Sequence, residues 1–456
     1  MSGSGAASAA SAAAAGSGDA APSSRYGLTD DEIKPMMLKG HERAITYLAF
    51  NADGDLLVSA AREPTIVLWS ATTGERLGTY EGHVGAVQHV DLSPDSTLML
   101  SASGDATVRL WEVETGVCKH IINLDPAPAR CVAWSPDMTR FAVAADGFGA
   151  SLFARVLVYK FPGADNMHEL GEPICVIHNG PTEVDEEEDS TARKQRLREK
   201  ASILAWLPPL EGYCDEETDG LLVGREGGTL TVYDPATGSK LDEPVYAHED
   251  VVTSIRFNRD RTLFVTSSAD KSVKLWDTRS LAELRVFNVD TMMNGCAISP
   301  IRPHVLMAGG QEARNVTTTA ASAGRFETRI HHVVGGEELA RIPGHFGTVN
   351  SIDVSPDGRS LATGGEDGYV RLNFLPPGYF RLGEDEDLRD PAVAVALEAF
   401  MHAAAEIVDD PTLPSVFDDE AATEEGFAAA EQAYDEAAAA SIDTAAVAAA
   451  AAAASS

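Results

Sequence analysis

Cysteine is scarce and carries no pattern. Cys118, Cys131, Cys175, Cys214 and Cys296 are odd in number, scattered, and never spaced C-x-x-C. That excludes a disulfide framework and a zinc knuckle, and it favours a reducing, intracellular setting. Basic residues are also few. The 456-residue chain holds 35 Lys+Arg against 70 Asp+Glu, a formal charge of −35. Such a balance opposes a phosphate-neutralising nucleic-acid surface and adhesion to an anionic membrane leaflet. Long apolar runs are missing too. No stretch reaches the roughly 18 strongly apolar residues of a membrane span, and the alanine tract after Thr444 is short and weakly hydrophobic. The opening MSGSGAASAASAAAAGSGDAAPSS lacks the basic start and Leu-rich core of a secretory signal and the arginines of a transit peptide, so residues 1–33 are expected to be a flexible Ala/Ser/Gly extension. No G-x-x-x-x-G-K-[ST], H-E-x-x-H or G-x-S-x-G occurs, which removes the phosphate loop, the zincin helix and the hydrolase elbow.

What is present is a repeat. His41 precedes Trp69 by 28 residues, and the same interval separates His83 from Trp111, His248 from Trp276, and His345 from Asn373. The phrase VDLSPD (90–95) returns as VAWSPD (132–137) and, more loosely, as VSPDG (354–358). SGDATVRLW (103–111), SADKSVKLW (268–276) and EDGYVRLNF (366–374) are further copies of one turn and strand. Short alternating apolar runs bounded by Gly, Asp, Pro and Ser read as antiparallel strands. Four of them per unit of about 40–45 residues is the WD-repeat signature.

Units starting near residues 41, 83, 125, 178, 248, 291 and 345 make seven. The expected fold is therefore all-β: a seven-bladed WD-repeat β-propeller over 34–380, with flexible N- and C-terminal extensions. Surplus chain falls in a charged insertion, 182–200, and around 316–324. The last unit runs out near Phe380 without a fourth strand, which KPMMLK (34–39) can supply, so that pairing of the two ends closes the ring and removes exposed edges. Residues 381–456 carry 18 acids and two bases; they are expected to be an acidic, Ala-rich tail with a candidate helix at 391–408.

Each well-formed unit also repeats a polar set. It reads His83, Ser101, Asp105 and Trp111 in unit 2, and His248, Ser267, Asp270 and Trp276 in unit 5. Unit 7 has His345, Thr363 and Asp367 with Asn373 in the Trp place, and unit 1 has His41 and Trp69 with Glu63 at the Asp position. Ser, His and Asp together invite a hydrolase reading. Repetition opposes it, because an enzyme needs one triad whereas a staple is wanted in every blade; a buried imidazole and carboxylate must find partners. The pair His331-His332 sits on an expected strand, where neighbours face opposite ways, so a shared metal site is not expected. No catalytic, cofactor-binding or metal residue is assigned.

Several stretches resemble the family of subunit I of eukaryotic translation initiation factor 3. These are IKPMMLKGHER (33–43), GERLGTYEGHVGAV (74–87), GGQEARNVTTTAASAGRFETRI (309–330) and GHFGTVNSIDVSPDG (344–358) with GGEDGYVR (364–371). The third is the most specific, because it falls in a degenerate unit and is not general propeller sequence. The resemblance implies a propeller without catalytic activity or cofactor, acting as a scaffold subunit of the cytoplasmic factor. It also implies docking to subunits B and G, and contact with the small ribosomal subunit only indirectly, without direct nucleic-acid or membrane binding. On that reading the divergent blades 5–7 carry the binding face, and Gln311, Glu312, Arg314, Thr317, Thr318 and Thr319 are candidate partner contacts. Two other readings stay open at this point: a receptor-associated WD-repeat signalling adaptor, and a propeller hydrolase.

Overall fold

The structure is a computed structural model, and it describes residues 35–147, 154–178, 198–209, 219–310 and 326–382. These form seven four-stranded antiparallel sheets. Blades 1 to 6 are β2–β5 (45–80), β6–β9 (87–123), β10–β13 (129–178), β14–β17 (201–246), β18–β21 (252–288) and β22–β25 (293–343). Blade 7 takes β26–β28 (349–374) from one end of the chain and β1 (Met36–Lys39) from the other. In it Met36 faces Leu372 and Leu38 faces Val370, so the N-terminal strand closes the ring.

The first strand of each blade packs on the first strands of its neighbours and lines the axis. The cores lie between blades rather than within them. One cluster joins Leu38, Val370 and Leu372 of blade 7 to Ile45, Leu48 and Trp69 of blade 1. Strands buried on both faces read as apolar runs instead of alternating ones, as in Leu98–Ser103, which is buried throughout.

The repeated Ser-Pro-Asp phrase builds the turn between first and second strands. Ser93 Oγ accepts from the Leu98 N–H at 2.9 Å and donates to Asp95; Ser135 and Ser355 do the same with Arg140 and Ser360. The fourth residue of this turn is left-handed in every such copy, whether glycine (Gly358, φ 68°) or not (Ser96, φ 59°). The glycine of the repeated Gly-His has a packing reason. A Cβ on Gly40 would lie 2.6 Å from the Trp69 ring.

Candidate docking ring and central channel

The repeated polar residues meet as hydrogen-bonded chains. In blade 2, Trp111 Nε1–H donates to Ser101 Oγ at 2.8 Å, and Ser101 Oγ lies 2.7 Å from His83 Nε2. His83 Nδ1 is 2.9 Å from Asp105 Oδ2. Direction follows from the inventory of donors: the Trp proton occupies the serine oxygen, the serine proton goes to Nε2, and Nδ1–H is left for the carboxylate. The same carboxylate accepts the Val84 N–H at 2.9 Å, which pins the loop to the blade. Blade 1 repeats the arrangement with Trp69, Ser59, His41 and Glu63. In blade 7, His345 spans Thr363 at 2.9 Å and Asp367 at 3.1 Å, while Asn373, in the Trp place, is buried with no partner for its Oδ1 among the described residues.

Blade 5 corrects one assignment. His248 Nε2 lies 2.7 Å from Thr266 Oγ1, and Trp276 Nε1–H donates to the same oxygen at 2.9 Å. Ser267 is not in the staple; its hydroxyl meets Thr253 Oγ1 at 2.8 Å. A slip of one residue along a strand moves a side chain to the other face. The interval from each His to its hydroxyl, 18 residues in all four blades, was the signal that identifies Thr266. Thr266→Val should cost about 2–3 kcal/mol, because two buried groups lose their shared partner, and Ser267→Ala less than about 1 kcal/mol; urea denaturation of the two variants measures the contrast.

The electrostatics suit a staple. Burial holds the His41 and His83 imidazoles below their ordinary value, against the pull of Glu63 and Asp105. Burial also works to raise Asp105, but Thr107, the Val84 N–H and His83 outweigh it and hold the carboxyl down at about 2. The Asp367 carboxyl is likewise held at about 2, chiefly by His345 against burial. The four hydroxyls are inaccessible: Ser59, Ser101 and Thr266 are fully buried and Thr363 nearly so. A nucleophile must reach its substrate, and these lie under tryptophan or within the sheet. Blade 4 replaces the staple with Arg225, which donates to the Glu199 carbonyl at 2.6 Å and to the Tyr233 hydroxyl.

A second polar system was invisible in the sequence. In all seven blades the pairing of first and second strands slips at the second residue of the first strand. A bulge leaves that residue out of the ladder and re-aims its side chain. Among the described residues, five of these side chains donate to the first carbonyl of the next blade. Thr46 reaches Val87, Ser202 reaches Val252, Thr253 reaches Met293, Asn294 reaches Val349 and Asn350 reaches Ile45, at 2.6–3.0 Å. The last bond crosses the closure. In blade 3 the position is Arg130, which pairs instead with Asp146 and Glu226 at 3.4 and 3.0 Å.

Deeper in the channel, the fifth residue of the first strand is Asp91 in blade 2, Arg256 in blade 5, Asp353 in blade 7 and alanine elsewhere. Arg256 spans the axis from blade 5 to blade 1. It donates to the Tyr47 hydroxyl and, at 3.3 Å, to the Leu48 carbonyl, and its guanidinium stands 4.9 Å over the Tyr47 ring. Asp91 and Asp353 accept the N–H groups of Trp134 and Phe50 in the following blades, at 2.7 and 2.9 Å. Burial pushes the Asp91 carboxyl up to about 6 and raises Asp353 as well, against the pull of Arg256 and these N–H groups.

The candidate contacts Gln311, Glu312, Arg314, Thr317, Thr318 and Thr319 fall between the second and third strands of blade 6, outside the described residues. So do the N-terminal extension, the C-terminal tail beyond Leu382 with the helix expected at 391–408, and all of the insertion except 198–200. Among the described residues no group of three or more His, Cys, Asp and Glu is placed to hold a metal, and no helix is long and apolar enough to cross a membrane.

Comparison with known proteins assigns the ring. The EIF3I family model matches residues 33–385. Subunit I of eukaryotic translation initiation factor 3 from Mycosarcoma maydis is 40% identical over 360 residues, covering 76% of this chain and 95% of the relative. The subunit from Aspergillus fumigatus is 39% identical over 354 residues, covering 76% and 96%. That of Meyerozyma guilliermondii is 35% identical over 370 residues, covering 79% and 99%. The match runs from the strand that closes the ring to the last turn beneath blade 7, and takes in nearly the whole of each relative. This propeller, with its Ser-His-Asp sets buried as staples, belongs to the family of subunit I of eukaryotic translation initiation factor 3, a non-catalytic subunit of the translation initiation machinery.

Proposed function

We propose that the ring is a rigid docking scaffold within initiation factor 3, holding other subunits while the initiation complex assembles on the small ribosomal subunit in the cytoplasm. The observation that carries this reading is the contrast between interior and rim. The interior is stapled and hooped, whereas Val84, Tyr246 and Phe346 stand 87, 85 and 83% exposed at the rim. Val84 and Phe346 directly follow staple histidines, and their backbone N–H groups are held by Asp105 and Asp367. Apolar side chains presented on a fixed backbone lose little further freedom when a partner covers them. A surrounding formal charge of −35 favours basic partner segments and speeds their encounter at low salt.

Subunits B and G are the partners proposed, with Gln311, Glu312, Arg314, Thr317, Thr318 and Thr319 among the contacts and the ribosome reached through other subunits. A tagged chain is expected to recover other subunits of the factor, read by mass spectrometry, and to co-sediment with small ribosomal subunits. Deleting residues 384–456 is expected to leave that recovery intact, and replacing the six contact residues by alanine to reduce it. Recovery of no initiation-factor subunit by the intact chain overturns the reading.

A further inference from the structure

The outer edges of the blades are not equally guarded. The outermost strand of a blade leaves one row of backbone N–H and C=O groups without a ladder partner, and charged side chains, proline or short length keep such an edge from pairing with another chain. In that strand blades 1 and 2 carry Arg76 and Lys119, blade 5 Glu283 and Arg285, and blade 6 Glu338, Arg341 and Pro343. Blade 7 has Lys39, and the outer strand of blade 4 is only Val245–Tyr246. Blade 3 has none of these devices. Its outer strand β13, Cys175–His178, reads CVIH, and among the described residues it pairs with β12 alone.

The strand is also held in place. Cys175 and Ile177 are buried in the core shared with blade 4, where a Cβ on Gly238 would lie 2.6 Å from Cys175 Sγ and 3.5 Å from Ile177 Cγ1. The alternate residues face out: Ile174 is 47% and Val176 37% exposed, and Glu172 and His178 are exposed as well. A strand fixed in this way loses little further freedom when another is added to it.

We propose that β13 accepts an extended basic segment of another initiation-factor subunit as a fifth strand of blade 3; this inference rests on the docking reading above. In strand addition, main-chain hydrogen bonds supply affinity and alternate side chains supply specificity. The exposed row Glu172, Ile174, Val176 and His178 asks for apolar side chains opposite Ile174 and Val176 and a basic one near Glu172, since matched cross-strand pairs are favourable. Glu169, exposed just ahead of the row, adds to that charge. A second copy of this chain fits less well. A four-residue edge by itself falls far short of the roughly 1,200–2,000 Å² of a stable protein–protein interface, whereas an extended segment needs only the edge.

Hydrogen exchange read by mass spectrometry tests this on the full chain, both free and within the factor purified through its tag. The amides of residues 174–178 should exchange at least about ten-fold more slowly in the factor. Val176→Lys gives β13 the kind of charge that other edges carry, and it should lower recovery of the bound subunit about ten-fold. Ile121→Lys is the control: it adds the same charge at a 48% exposed position of an edge that already holds Lys119, and recovery should not change. Circular dichroism checks that both variants fold. Subunits recovered with exchange over 174–178 unchanged, or with Val176→Lys no weaker than Ile121→Lys, overturn this inference alone. Recovery of no subunit by the intact chain overturns the docking reading and this inference with it.

Discussion

A chain that begins at Gly40 is expected to lose about 5 kcal/mol of apparent stability and to self-associate, whereas one that begins at Pro35 should match the full chain. The shorter chain lacks β1. Leu38, 4% exposed in the intact ring, contributes about 2–3 kcal/mol by burial. The ladder between β1 and β28, with four residue pairs, adds about 0.5–1.5 kcal/mol for each hydrogen bond. The loss compares with the whole stability of an ordinary domain, about 5–15 kcal/mol. Association follows from the edge: β28 keeps β27 on one side, but its outer edge at Tyr369–Leu372 would stand unpaired and open to another chain. Tryptophan fluorescence in urea measures the first effect and light scattering the second. A loss under about 1 kcal/mol would mean that blade 7 is stable with three strands.

Arg256→Met should cost about 3 kcal/mol at pH 8, because it leaves the Asp353 carboxylate in the channel without its cation. The side chains of Arg256 and Asp353 are only 21 and 19% exposed, so water offsets little of that loss. The cost should shrink as the pH falls toward 5. Asp91 is held up to about 6 in the folded chain, above the ordinary carboxylate value of about 4. A folded-state pKa that is raised contributes stability fully present below about 4 and lost as the pH rises through 6. Removing the guanidinium raises both carboxyls further, so the variant loses more than the intact chain over that window. Asp105 and Asp367 behave oppositely. Held at about 2, they stabilise the fold above about 4, and that stability is lost as the pH falls toward 2. Denaturation midpoints at pH 5 and 8 separate the channel from the staples; a cost that does not vary with pH would remove the carboxylates from the account.

Much of the ring was legible because propellers repeat. The 28-residue interval from His to Trp and the returning Ser-Pro-Asp phrase place seven units, and the short last unit points to Met36–Lys39 as its missing strand. Thr266 was misread for a local reason. Thr266, Ser267 and Ser268 are three consecutive small hydroxyl residues, and composition does not say which faces inward. Only the interval from His248 does.

The sequence by itself determined the number of blades, the closing strand and the staple chemistry, since each is a matter of spacing within one repeat. The tertiary structure alone decided the channel. Thr46, Ser202, Thr253, Asn294 and Asn350 are of three residue types with no common motif, and Arg256, Asp91 and Asp353 lie in three different blades. Their bonds run from one blade to the next or across the axis. A linear pattern shows what recurs along the chain, whereas such contacts depend on the bulge that turns each side chain inward and on the ring that brings distant blades together.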